Sequence, residues 1–110
     1  MSKYGYRADG SPKGPGWLGE IKLPRGGIAT EYTVSTEING KQMEIPMLVP
    51  GLSKKELKDL ISIIDNNSDI PDTLFEKAKT HAVSKIEQGE SVFYEEPSIM
   101  DNIINLLKGL

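Results

Sequence analysis

Asn39-Gly40 stands between two β-prone runs, 30–38 and 41–49, and no other pair of residues restricts the fold of this chain as much. Asn and Gly accept the positive φ angles at both centres of a type I′ turn, whose twist matches the strands it joins. A two-residue turn fixes the register. Ile38 then faces Lys41, Thr36 faces Met43, Val34 faces Ile45, Tyr32 faces Met47 and Thr30 faces Val49. These pairs share one largely apolar face. The other face receives Glu37 with Gln42, Ser35 with Glu44, Thr33 with Pro46 and Glu31 with Leu48, and is mostly polar. The pattern predicts a hairpin with one side on a core and one side in water. Pro46 lacks an N–H, so its strand is expected at an edge, or to loosen there.

Three helices are expected after the hairpin. Ser53-Lys-Lys-Glu56 has the spacing of a capping box and follows the helix-incompatible Pro50-Gly51. Leu57, Leu60, Ile61 and Ile64 form a helical stripe that ends near Asn66-Asn67. Pro71 suits the first turn of a second helix, in which Leu74, Ala78, Ala82 and Ile86 recur every four residues and Gly89 is placed to end it. The small Ala78 and Ala82 permit close approach to a neighbour. Ser98 and Asp101 resemble a capping box before the stripe Ile99, Ile103, Leu106, Leu107 and Leu110. A helix of about a dozen residues is marginal alone, so this stripe needs a surface to bury it.

The first 27 residues differ from the rest. They hold seven of the eleven Gly, three of the seven Pro and a charge of +5 − 2 = +3, whereas residues 28–97 carry +7 − 13 = −6. Ordering so much glycine is entropically costly, which predicts an extended arm that is mobile or held down by a partner. Tyr4, Tyr6, Trp17, Leu18, Ile21 and Leu23 favour the second, because a pure linker has no use for such side chains. The expected organisation is an extended basic arm over 1–27, a compact α+β domain over 28–93 and a C-terminal amphipathic helix over 94–110.

Several functions are disfavoured by the same residues. A net charge of −3 lacks the basic surplus of a general nucleic-acid binder. The absence of Cys removes disulfides, thiolate nucleophiles and zinc ribbons, and one His does not make a His-rich metal centre. Gly14-Pro-Gly16-Trp-Leu-Gly19 is a literal G-x-G-x-x-G, but neither a strand before it nor a helix after it is expected, as dinucleotide binding requires. It reads as a loop. His81 lies mid-helix with no nucleophile or carboxylate motif beside it, and is expected to be a semi-buried side chain bonded to backbone or to a loop. Glu37 and Glu44 read as solubilising groups on a wet strand face. Glu31, which faces Leu48 near the arm, is the candidate for an ion pair with Arg7 or Arg25. The longest apolar-dominated stretches fall far short of the ~20 residues of a membrane helix, and the polar first ten residues carry no signal-peptide core.

What remains points to binding. Trp, Tyr and Arg are the residue types favoured at protein–protein hot spots, which singles out Tyr4, Tyr6, Arg7, Trp17 and Leu18 on the arm, together with Ile99, Ile103, Leu106, Leu107 and Leu110. Stacking of the arm on single-stranded nucleic acid is the rival, weakened by the −6 of the domain behind it.

The run Arg7-Ala-Asp-Gly-Ser-Pro-Lys-Gly-Pro-Gly-Trp-Leu-Gly19, then Ala29-Thr30-Glu31, Ile45-Pro-Met-Leu-Val-Pro50, Lys77-Ala78, His81-Ala82 and Gly89-Glu-Ser91, resembles a small domain widespread in tailed-bacteriophage genomes. There it occurs alone or as a segment of larger proteins. The resemblance covers residues 7–93, departing at Ala8, where Pro is commoner, and at Val92-Phe93, where Pro-Phe is commoner. Residues 94–110 look like an addition. It implies a phage context and supplies no catalytic residues. The expectation is a non-enzymatic virion protein (a decoration, connector or packaged component) without cofactor or metal, assembled in the host cytoplasm. Its expected partners are capsid, portal or tail proteins and copies of itself, not nucleic acid or membrane. The alternative is a small phage-encoded inhibitor of a host protein.

Overall fold

The structure, a computed structural model, describes residues 3–95. These residues form an α+β fold of two antiparallel two-stranded sheets and two helices. Strand β1 (Ile21–Lys22) pairs with β2 (Ile28–Ala29), and β3 (Thr33–Ile38) with β4 (Lys41–Pro46); α1 (Lys54–Asn66) and α2 (Asp72–Glu87) follow. The third helix expected over 98–110, with Ile99, Ile103, Leu106, Leu107 and Leu110, lies outside the described residues.

Asn39 and Gly40 take φ angles of 54° and 79°, and the register from Ile38↔Lys41 to Thr33↔Pro46 is the one the turn requires. Ile38, Thr36 and Ile45 turn inward while Ser35, Glu37 and Gln42 face water. The alternation then breaks earlier than expected. Tyr32 has a φ of 42°, and Met47 N–H donates to both the Tyr32 and Glu31 carbonyls, at 2.9 and 3.1 Å. Two residues thus oppose one, in the manner of a bulge. The chain twists there, and Glu31 and Leu48, expected on the polar face, are 2% and 0% exposed.

Ser53 caps α1 through the full reciprocal box with Glu56. Asn67, at a φ of 53°, closes the helix with its N–H on the Ile64 carbonyl, while Ser68 N–H reaches the Ile63 carbonyl. Helix α2 ends in the corresponding pattern, Gly89 N–H to Ile86 and Glu90 N–H to Lys85, which needs the left-handed conformation that Gly89 supplies. Ala78 and Ala82, both fully buried, let α2 lie against β4. Lys77 on α2 and Glu56 on α1 are 2.6 Å apart, and that contact lowers the Glu56 pKa. Ile38, Ile45, Met47, Leu48, Leu60, Leu74 and Val92 close the core between hairpin and helices.

The expected extended arm is not observed. Residues 5–13 fold back on themselves, with Lys13 N–H on the Gly5 carbonyl and Arg7 N–H on the Ser11 carbonyl. Leu18 and Ile21 pack on the core, and β1 pairs with β2 across residue 27. Arg25, through its N–H and its guanidinium, holds Asp65 at the end of α1.

Candidate partner-binding site

Two of the residues singled out for binding, Arg7 and Trp17, make two clasps that hold the N-terminal segment to its own domain. In the first, Arg7 Nε and Nη2 donate to the two carboxylate oxygens of Glu31, at 3.0 and 2.6 Å, in the bidentate geometry that makes such pairs strong. Gly14 N–H adds a third bond to Glu31, at 3.1 Å. The Glu31 side chain is 1% exposed and that of Arg7 13%. The guanidinium lies 4.1 Å from the centroid of the Phe93 ring, within cation–π range. Asp9 shapes the loop: its carboxylate accepts from Ser11 N and Oγ, and these bonds hold its pKa below the ordinary value. Of the two partners expected for Glu31, the structure selects Arg7.

Trp17 makes the second clasp. Its Nε1 donates to the Val92 carbonyl at 3.0 Å, its ring stands edge-on to His81 and Tyr94 with centroids 4.9 and 5.4 Å away, and Lys85 Nζ sits 4.8 Å from its centroid. His81 is neither bonded to a loop nor to backbone as expected. Its Nδ1 is buried and has no hydrogen-bond partner among the described residues. Burial, reinforced by the Lys85 charge, pushes its pKa below the ordinary value and so favours the neutral imidazole.

Gly16 allows both clasps to close. At its φ of 80° a Cβ would lie 2.0 Å from the Thr30 carbonyl oxygen, so only glycine lets this loop approach the link between β2 and β3. The G-x-G-x-x-G stretch is thus a close backbone packing element with no helix following it.

The remaining candidates are distributed differently. Tyr4 Oη donates to Glu20 at 3.2 Å. Tyr6, paired in a bridge with Pro12, is 58% exposed, and with Ile28 at 52% it is one of the two large hydrophobic side chains exposed among the described residues. Beside Arg7 and Phe93 a groove of about 560 Å³ opens between the Ala8-Asp9 turn and Met43. Among the described residues no group of three His, Asp or Glu is placed to hold a metal ion, and no helix is long and apolar enough to cross a membrane. Phe93, Tyr94 and Lys85 were not foreseen as clasp partners. Phe93 and Tyr94 stand as an aromatic pair just past the helix-ending Gly89, which fixes neither the distance nor the partner, and Lys85 carries no such signal. Comparison of the chain with protein-family models, with curated proteins and with solved structures found no match.

Proposed function

We propose that this protein is a non-enzymatic component of a phage virion that binds other virion proteins. The observation that carries this reading is the closure of the body by residue 93. Among the described residues Val92 joins the core and Phe93 caps Arg7, while the stripe Ile99, Ile103, Leu106, Leu107 and Leu110 follows in sequence. That stripe, with Tyr6 and Tyr4 at the folded N-terminal segment, is the contact surface. Arg7, Trp17 and Leu18 serve it indirectly, by fixing the segment that presents Tyr6. The phage context rests on the resemblance of residues 7–93. Many copies on a symmetric surface make modest individual contacts sufficient. Mass spectrometry of purified virions tests the reading: a structural component is present in stoichiometric amount, whereas its absence from virions favours an inhibitor that acts on a host protein.

A further inference from the structure

The hairpin turn carries an uncommitted reactive pair. Succinimide formation at an Asn needs its carboxamide carbon to be reached by the backbone nitrogen of the next residue, and that nitrogen must be free to lose its proton. At Asn66 the nitrogen of Asn67 is held on the Ile64 carbonyl, and the Asn66 carboxamide is itself bonded to the Ser62 carbonyl at 2.9 Å. At Asn67 the nitrogen of Ser68 is held on the Ile63 carbonyl at 3.0 Å. At Asp9 the nitrogen of Gly10 is held on the Arg7 carbonyl at 2.9 Å, and the carboxylate is occupied by Ser11. At Asn39 neither half is held. Among the described residues nothing bonds its carboxamide or the Gly40 N–H, the turn is exposed, and nothing lies within 4 Å of where a Gly40 Cβ would be.

We infer that Asn39 is a deamidation site of this protein, and that its isoaspartyl product dismantles the β3–β4 hairpin. Base removes the Gly40 amide proton, and the nitrogen attacks Asn39 Cγ. The N–Cγ bond forms as the Cγ–NH₂ bond breaks, and the departing nitrogen takes up a proton to leave as ammonia. Water then opens the succinimide at either carbonyl, giving aspartate or isoaspartate. Isoaspartate routes the main chain through the former side chain and adds a backbone atom to a turn that tolerates two residues only. The positive φ pair at 39 and 40 is lost, and with it the register that places Ile38, Thr36 and Ile45 on the core. Because side chains alternate with period two, the strands cannot shift by one residue and still bury that set.

The full-length protein, held at mildly alkaline pH, tests this by peptide mapping with electron-transfer fragmentation, which separates isoaspartate from aspartate, alongside thermal melts. Modification at Asn39 several-fold faster than at Asn66 and Asn67 is expected, with a lower-melting population that grows with isoaspartate-39. Asn39→Gly keeps a turn compatible with positive φ and should produce no such population. Asn39→Asp adds the charge without the backbone change and should melt near the parent. Equal rates at the three asparagines, no reaction at Asn39, or isoaspartyl protein that melts like the parent would each overturn the inference.

Discussion

Replacing Arg7 by alanine removes the side chain that, among the described residues, balances a carboxylate taken almost completely out of water. Glu31 is 1% exposed at its side chain and receives two of its three hydrogen bonds from the guanidinium. In Arg7→Ala the Gly14 N–H is the one partner left among the described residues. Stranding one member of a buried pair costs about 3–5 kcal/mol. The 13% exposure of Arg7 shows that water reaches this pair from one side, which places the cost near the lower end, at about 3 kcal/mol. Loss of the contact with Phe93 adds about 0.5–1 kcal/mol. A domain of this size has a total stability of about 5–15 kcal/mol, and each kcal/mol moves its midpoint by about 4–8 °C. A drop of more than ~10 °C follows. Urea unfolding followed by circular dichroism measures the difference, with an unchanged m-value showing that stability alone has changed. The variant Arg7→Ala/Glu31→Gln leaves no buried charge and should recover part of the loss. A cost below about 1 kcal/mol, the range of exposed ion pairs, would refute the reasoning, as would a double variant no more stable than Arg7→Ala.

Gly16→Ala should destabilise the fold by about 2 kcal/mol or more, since left-handed strain of about 1–2 kcal/mol is joined by a clash with the Thr30 carbonyl; Gly19→Ala, at the same φ of 80° with open space around it, meets the strain alone. Equal shifts in thermal melts would remove the close approach from the explanation. His81 has its folded pKa below the ordinary 6.5, so the unfolded chain takes up its proton first, and this contribution to stability is complete above pH 6.5 and is lost as pH falls through the folded value. Trp17 fluorescence should report the same transition, and His81→Phe should abolish it; an unchanged profile in that variant would assign the transition to another group. Deleting residues 97–110 should leave a folded body by circular dichroism, because Val92 already closes the core, and should abolish assembly. A truncated chain that unfolds would make that stripe part of the core.

Local chemistry made the hairpin and both helices legible. Asn39-Gly40, the Ser53/Glu56 box, the Ala78/Ala82 spacing and Gly89 each act within a few residues, and each element lies where those residues place it. The composition of the N-terminal segment does not determine its conformation. Glycine raises the cost of ordering, but Gly16 uses the missing Cβ for a backbone contact 14 residues away, at Thr30. That contact leaves no trace in the spacing of residues. The Arg7–Glu31 pair was half legible, because Glu31 was marked by its position opposite Leu48, but the choice of Arg7 over Arg25 depends on the fold of residues 5–13. The left-handed Tyr32 that turns Glu31 inward has no sequence signal, since a tyrosine gains nothing intrinsic there.

The two clasps share a consequence for any contact made beyond residue 95. Arg7 holds Phe93 and Trp17 holds Val92 and Tyr94, so the N-terminal segment grips the last described residues at three successive positions. Residues 92–94 are therefore held at a fixed place on the body. A binding segment that starts from a fixed point loses less freedom on docking than one on a loose linker, because part of the ordering has already occurred. On the proposed function, Arg7 and Trp17 would then act on partner binding by position, while Tyr4 and Tyr6 of the same segment make the contact. On this reading Trp17→Ala weakens assembly more than it weakens the fold, and a variant that lost both in equal measure would place Trp17 in the core alone.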